Sequence, residues 1–326
     1  MSTEEREAGF VRRTPKASSP RKRISKADVR TALRLVLSVF VSWLLPQRSW
    51  PSIARHGSWL AGVLAGKTTK PVELPMARAL GEGKEDLCSR LAADLRGARY
   101  EVAFQCLRGY RVGGWRPKIT VSGRDHLDEA LQQNKGCVLW VAHFVFAPNV
   151  VKIGLHDLGL RVSHLSRPDH GFSSTRFGIR YLNPVRRAFE DRYLEQRIVF
   201  DRAHPAGALM RARRTVAANG IVSFTAGAWE GSSVVESRFF KSRITLAMGP
   251  VWLARVSGAV LLPVFAMRDR ANNEFLVEID PPIDVQAASS EQESMVAAAR
   301  SFLRRHERRV LEHPGQWRGW SSLRDE

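Results

Sequence analysis

The sequence predicts an α/β fold: a mixed, largely parallel central sheet flanked by helices, behind an N-terminal apolar helical element associated with a membrane. Three observations carry this prediction. From about residue 84 onward, short strand-like runs alternate with helical ones, the pattern of helices packed on the faces of a sheet. Apolar residues make up 44% of the 326 positions, enough to bury a full core and to exclude global disorder. Ahead of the alternation lies one uncharged apolar run, Leu35 to Leu45.

Taken in order, residues 1–27 are polar and basic, with Arg12, Arg13, Lys16, Arg21, Lys22, Arg23 and Lys26 among Ser, Thr and Pro. They read as a disordered tail. Residues 28–70 are predicted to hold the membrane-associated helices. Leu33 to Leu45 is closed by Pro46, and its uncharged stretch of eleven residues is roughly 16 Å long as a helix. A bilayer core of roughly 30 Å needs about 20 residues, so this run does not span alone. No small-residue cleavage site of a secretory signal follows it. A second apolar stretch, Trp59 to Ala65, comes after a short loop. The pair reads as helices lying in or dipping into a membrane face, with the basic tail on anionic headgroups and Trp43, Trp50 and Trp59 at the interface. A helical hairpin packed on the main domain without lipid is the alternative.

Residues 71–326 read as one domain, because no linker divides them. Leu87, Leu91, Leu95 and Val102 give 84–108 helical spacing. Strands are predicted over 119–121, 137–142, 160–164, 198–200, 221–224, 260–267 and 275–279, and helices over 125–133, 149–158, 206–218, 250–256 and 291–312. Ala218-Asn219-Gly220 is a good helix stop. The last helix carries Arg300, Arg304, Arg305, Arg308 and Arg309.

Charge and cysteine usage narrow the function. Lys and Arg number 51 against 32 Asp and Glu, a net charge of +19. Such a surface attracts phosphates on nucleic acid, membrane or cofactor. Cys88, Cys106 and Cys137 are scattered, with no paired spacing for zinc or disulfides, which favours a reducing compartment. No self-similar period signals a repeat architecture. No phosphate-binding glycine fingerprint is present, and Ser232, Ser233 and Ser237 lack a nucleophile-elbow context. No bound cofactor or metal is therefore expected. Nucleic acid is not an expected partner either, because no reading motif accompanies the charge.

In α/β sheets ligands sit beyond the carboxyl ends of the strands. His143 follows the 137–142 strand. An imidazole there can take a proton from a hydroxyl or amine at neutral pH, or it can be a buried histidine that merely satisfies a backbone carbonyl.

The residues around His143 resemble the first motif, H-x4-[DE], of the lysophospholipid acyltransferase superfamily, in particular its late lipid A acyltransferase branch. FFKSRITLAMGPVWLARVSGAVLLPVF (239–265), EIDPPIDV (278–285) and HPGQWRGW (313–320) are similar to later stretches of that branch, in the right order. The first of these is similar to an apolar strand, a Gly-Pro helix start and a strand ending in Pro-Val. The resemblance implies transfer of a fatty acyl chain from an acyl carrier protein or coenzyme A thioester to a hydroxyl or amine of a lipid or glycolipid, at the cytoplasmic face of the inner membrane. It implies His143 as general base, Arg167 and Arg202 as anion ligands, and Glu230-Gly231 as a faint third motif.

One position departs from the motif. The acidic place is Pro148, and no Asp or Glu lies between His143 and Val150. In the family that carboxylate orients the imidazole, as an Asp does in a hydrolase triad. Asp157 or Glu230 could take its place, Asn149 could orient the ring, or the chain could be a catalytically degenerate lipid-binding member. Proline itself suits the first turn of a helix. Arg176, Arg180, Arg186 and Arg187 read mostly as a solvated basic face. Gly249-Pro250 reads as a helix start.

Overall fold

The structure, a computed structural model, describes residues 8–14, 21–64, 70–81, 83–201, 205–227, 231–269 and 273–325. The chain opens with β1 (Ala8–Arg12) and four helices: α1 (Lys26–Leu44), α2 (Trp50–Leu64), α3 (Lys70–Leu80) and α4 (Glu85–Arg108). Then follow β2 (Ile119–Ser122), α5 (Arg124–Gln132), β3 (Cys137–Val141), α6 (Ala147–Asp157), β4 (Val162–Ser166), α7 (Asn183–Asp191) and β5 (Gln196–Val199). The second half holds α8 (Pro205–Ala217), β6 (Ile221–Thr225), β7 (Ser233–Phe239), β8 (Ser242–Ala247) and α9 (Gly249–Ser257). It closes with β9 (Val260–Arg268), β10 (Phe275–Ile279) and α10 (Glu291–Glu312). Every strand and helix predicted for the body is present, with ends displaced by no more than two residues.

A seven-stranded sheet runs β2-β10-β9-β3-β6-β4-β5. The strands from β9 to β5 are parallel, while β10 is antiparallel to β9 and β2 parallel to β10. β3 sits at the centre, Val141 facing Val264 of β9 and Thr225 of β6. It is buried at all five positions, as a parallel strand covered on both faces must be. α10 starts on Ser290, whose hydroxyl accepts from the Glu293 amide at 3.2 Å. It buries Met295, Phe302, Leu303, His306 and Val310.

Three features correct the sequence reading. Ala8–Arg12, assigned above to a disordered tail, pairs antiparallel with β7 in a second sheet, β1-β7-β8. The open edge of the β7–β8 hairpin offers unpaired backbone groups, and Ala8 and Phe10 pack on the core from one face. The hairpin had little turn signal: its two linking residues are Phe240 and Lys241, and Phe240 takes φ 56° while stacked on Trp320. Trp50, read as an interface anchor, is fully buried, its ring edge-on to Phe104 at 6.0 Å. Trp43 is likewise tied inward, donating to the Leu107 carbonyl at 3.0 Å; Trp59 is exposed.

α1, α2 and α3 pack on α4. Among the described residues no helix is long and apolar enough to cross a membrane. α1 nonetheless inverts the usual pattern. It buries Asp28, Leu35, Ser38 and Ser42, while Leu33, Val36, Leu37, Phe40 and Leu44 are each more than half exposed. Asp28 anchors its start, accepting from the Ser25 amide at 2.6 Å and the Thr175 hydroxyl at 3.0 Å. Arg108 caps its end on the Ser42 carbonyl at 2.7 Å.

Candidate active site

His143 emerges at the carboxyl end of the central strand, where an open α/β sheet offers a crevice. Its short loop is braced by the C-terminal segment. The Arg318 amide donates to the His143 carbonyl at 3.1 Å, and the Val145 amide donates to the Gln316 carbonyl at 2.8 Å. The Gln316 side chain clamps the end of β9, donating to the Arg268 carbonyl and accepting from its amide, both at 2.8 Å. Trp317 is buried among Phe239, His306 and Trp320. Gly319 is needed for this approach, since a Cβ there would lie 2.2 Å from the Trp317 ring. The Gln-Trp signature is thus a brace for the histidine loop.

His143 is half-buried. Burial holds its imidazole well below the usual range, and Arg318, Arg99, Arg186 and His306 push the same way. The ring is therefore neutral at pH 7, the form that accepts a proton. The three arginines come from three elements. Arg318 is half-buried, and burial with Arg186 and Arg99 nearby pushes it down to about 9. Its Nε is buried without a hydrogen-bond partner. Arg99 lies on an exposed position of α4. Arg186 of α7 is buried, which corrects its assignment to a solvated face; Arg176 and Arg180 are exposed as expected.

Arg186 belongs also to a second cluster. Glu190, fully buried, accepts from Arg186 Nε at 2.8 Å, His170 Nε2 at 3.0 Å, Arg197 at 3.0 Å and the Lys152 ammonium. Burial alone would raise the Glu190 pKa; Lys152, His170 and Arg186 outweigh it and hold the carboxyl well below its usual range. Burial pushes Lys152 down to about 8 and His170 to about 4, against the pull of Glu190.

The residues proposed from sequence meet different fates. Pro148 occupies the first turn of α6, where its fixed φ suits the helix. Asn149 is fully buried and donates to Gln105 Oε1 at 3.2 Å on α4. Asp157 is at the far end of α6, mostly exposed, and roughly 13 Å of helix separates it from Pro148, so it does not stand at the motif's acidic place. Arg167 does lie at the carboxyl end of β4, forked on Asp169 at 3.0 and 2.9 Å. Arg202 and Glu230 lie outside the described residues. Gly231 accepts from Arg13 at 3.2 Å and packs so close to Ala247 that a Cβ would sit 2.7 Å from that side chain. The sequence reading missed Arg99, Glu190, Lys152 and Arg318. Only Arg318 carried a signal, directly after the Gln-Trp pair.

A cavity of about 280 Å³ opens between α2, α4 and the histidine loop, with Glu101, Phe146, Arg268 and Gln316 in its wall. Arg268 donates to Glu101 Oε1 at 2.6 Å, while Glu101 Oε2 is buried without a partner. Among the described residues no group of three or more His, Cys, Asp or Glu could hold a metal ion. Burial pushes Cys106 and Cys137 up to about 12, so neither thiol is a nucleophile at neutral pH.

The sheet is thus largely parallel, and a histidine held neutral at pH 7 stands at the carboxyl end of its central strand. The family model of bacterial lipid A biosynthesis acyltransferases matches residues 111–320, and the chain belongs to that family. No curated protein sequence matches it. Among solved structures, it is similar to the 1-acyl-sn-glycerophosphate acyltransferase PlsC from Thermotoga maritima. The two are 12% identical over 86% of this chain and 97% of that one, with a TM-score of 0.36.

Proposed function

We propose that this protein moves a fatty acyl chain from an acyl carrier protein or coenzyme A thioester to a hydroxyl or amine of a lipid or glycolipid, with His143 as general base. The observation that carries the reading is a neutral imidazole at the carboxyl end of β3, in a chain of this family. In the step, His143 takes the proton of the acceptor hydroxyl or amine as its oxygen or nitrogen attacks the thioester carbonyl. The tetrahedral intermediate collapses, the C–S bond breaks, and the imidazolium returns the proton to the departing thiolate. An ester or amide and a free thiol result.

The site of action is the cytoplasmic face of the inner membrane. Supporting this, the outward face of α1 presents Leu33, Leu37, Phe40 and Leu44 to solvent and α2 adds Trp59 and Leu60, a surface suited to the headgroup–acyl boundary. Arg21, Lys22, Arg23 and Lys26 lie beside it in the chain, suited to anionic headgroups.

The test is mass spectrometry of total lipids from the native organism, comparing wild type, His143→Ala and a deletion. The expected result is an acylated lipid present only with wild type. A product that survives His143→Ala would move the base elsewhere. Pro148 at the acid's place favours one second reading, a lipid-binding member without chemistry. Identical lipids in all three strains would establish it.

A further inference from the structure

A stretch of the α/β body is fastened to the start of α1. Residues 167–182 leave the carboxyl end of β4, the same edge of the sheet at which His143 leaves β3. The Arg176 and Phe177 amides donate to the Lys22 and Arg23 carbonyls, both at 3.0 Å. The Ser173 and Thr175 hydroxyls donate to the two oxygens of Asp28, at 2.5 and 3.0 Å. Phe172, Phe177 and Leu182 pack in one small cluster with Leu35 of α1 and Ala103 and Leu107 of α4. What these two pieces turn outward is ordered along one axis. At the fastened end Tyr181 is 56% exposed, its ring 5.1 Å from Phe177 and 5.5 Å from the Arg180 guanidinium. Lys22, Arg23, Lys26, Arg30, Arg176 and Arg180 are exposed on the same two pieces. Asp28 is the one acidic residue in 21–45 or 171–187, and it is buried and already bonded. No carboxylate of either piece therefore answers the exposed charge. Beyond Arg30 the outward face of α1 is apolar, with Leu33, Leu37, Phe40 and Leu44 at helical spacing. Arg34 alone interrupts it, half-buried with its guanidinium 4.8 Å from the Tyr100 ring centre.

We propose that residues 172–181 join residues 21–26 and α1 in one contact surface for a bilayer that carries anionic lipid. The basic, tyrosine-bearing end lies at the headgroups, where cations and amphipathic rings are favoured. α1 runs obliquely away from it, and its C-terminal half dips below the headgroups. The order of the surface selects this occupant: charge at one end of a helix and apolar side chains at the other match the depth profile of a bilayer. The eleven uncharged residues from Leu35 to Leu45 then suffice, because they enter one leaflet and do not span. The inference rests on the membrane reading of α1 given above and adds to it a segment of the α/β body. That segment leaves the edge of the sheet that carries His143. The edge is thereby held toward the bilayer, and an acceptor lipid reaches the histidine from the membrane plane.

The experiment places an environment-sensitive NBD fluorophore at single positions of the full chain. Cys88, Cys106 and Cys137 are all buried, so an introduced surface cysteine takes the label, and wild type carried through the labelling gives the background. The positions are Ile24→Cys, Phe40→Cys, Tyr181→Cys and, as a control on α8, Met210→Cys; all four side chains are exposed. Each labelled protein is mixed with vesicles of phosphatidylcholine, with or without phosphatidylglycerol. On the anionic vesicles the Phe40 label is expected to shift furthest to the blue, the Ile24 and Tyr181 labels less, and the Met210 label not at all. Arg176→Gln combined with Arg180→Gln should weaken co-sedimentation with anionic vesicles on the order of tenfold and leave binding to pure phosphatidylcholine unchanged. A Tyr181 label that stays in water while the Phe40 label moves would overturn the proposal and leave the membrane contact of α1 standing. Both labels in water would overturn the membrane reading as well. Equal shifts at all four positions, or a double variant that binds anionic vesicles as wild type does, would also overturn it. Shifts that grow with protein concentration in the absence of vesicles would give the surface to a second copy of the chain instead.

Discussion

On one side of α7, Glu190 is sealed in the protein and takes hydrogen bonds from Lys152, His170, Arg186 and Arg197. Arg318, which Arg186 and Arg99 influence through their charge, has no carboxylate partner among the described residues, and neither does Arg99. Both groups are rich in cations, yet one is closed and the other open. Buried charge that serves the fold has its hydrogen bonds completed within the fold. Arg318 differs: its Nε is buried without a hydrogen-bond partner among the described residues.

Four measurements break or sharpen that contrast. The largest effect is expected from Glu190→Gln, which removes the carboxylate that Lys152, His170, Arg186 and Arg197 share and leaves Asp191 holding Arg197 alone. A loss of about 3–5 kcal/mol in urea unfolding is expected; a loss below about 1 kcal/mol would show that the cluster is not sealed.

Acid comes next. His170, at about 4 in the folded chain, and His306, pushed down to about 3 by burial, stay neutral when folded, whereas unfolded histidines protonate near 6.5. The unfolded state therefore binds more protons below about pH 6.5. This contribution to stability is full above that pH and is lost as pH falls toward 4 for His170 and 3 for His306. The expected slope is at most about 1.4 kcal/mol per pH unit for each group. His170→Gln, which keeps a donor to Glu190, should flatten the urea midpoint's dependence on pH between 6 and 4.

On the open side, Arg318→Gln is expected to leave stability unchanged or raise it by up to about 1 kcal/mol, because it removes an unpaired cation from two like charges. A loss of several kcal/mol would place Arg318 in the closed class instead. Smallest in stability is Phe40→Ser on the outward face of α1, expected within about 0.5 kcal/mol of wild type. Binding to vesicles with anionic lipid, measured by co-sedimentation, should fall several-fold for the same variant. Unchanged vesicle binding would take α1 out of the membrane reading.

Legibility in the sequence followed the range of the forces involved. The alternation of Cys137–Val141, Ala147–Asp157 and their successors was readable because a parallel strand buried on both faces must be apolar throughout. His143 was readable because it ends such a strand. β1 and the β7–β8 hairpin were hidden, since an edge strand needs only two inward residues and this hairpin's turn is held by Phe240 against Trp320 rather than by turn-forming residues. Arg186 looked like any basic residue of an amphipathic segment; its burial depends on Glu190 one turn later and on Lys152 and Arg197 from other elements. Trp50 looked like an interface anchor until α4 was packed over it.

The sequence by itself determined the sheet-and-helix order, the position of the histidine at the end of an apolar strand and the missing acid at Pro148, because each is a matter of local pattern and residue type. Only the tertiary structure decided which arginines face His143, which carboxylate is already taken, and that α1 turns its leucines outward and its serines in. Those outcomes depend on side chains from α4, α7 and the C-terminal segment meeting across long stretches of chain, and electrostatic pairing and burial act through space without regard to sequence order.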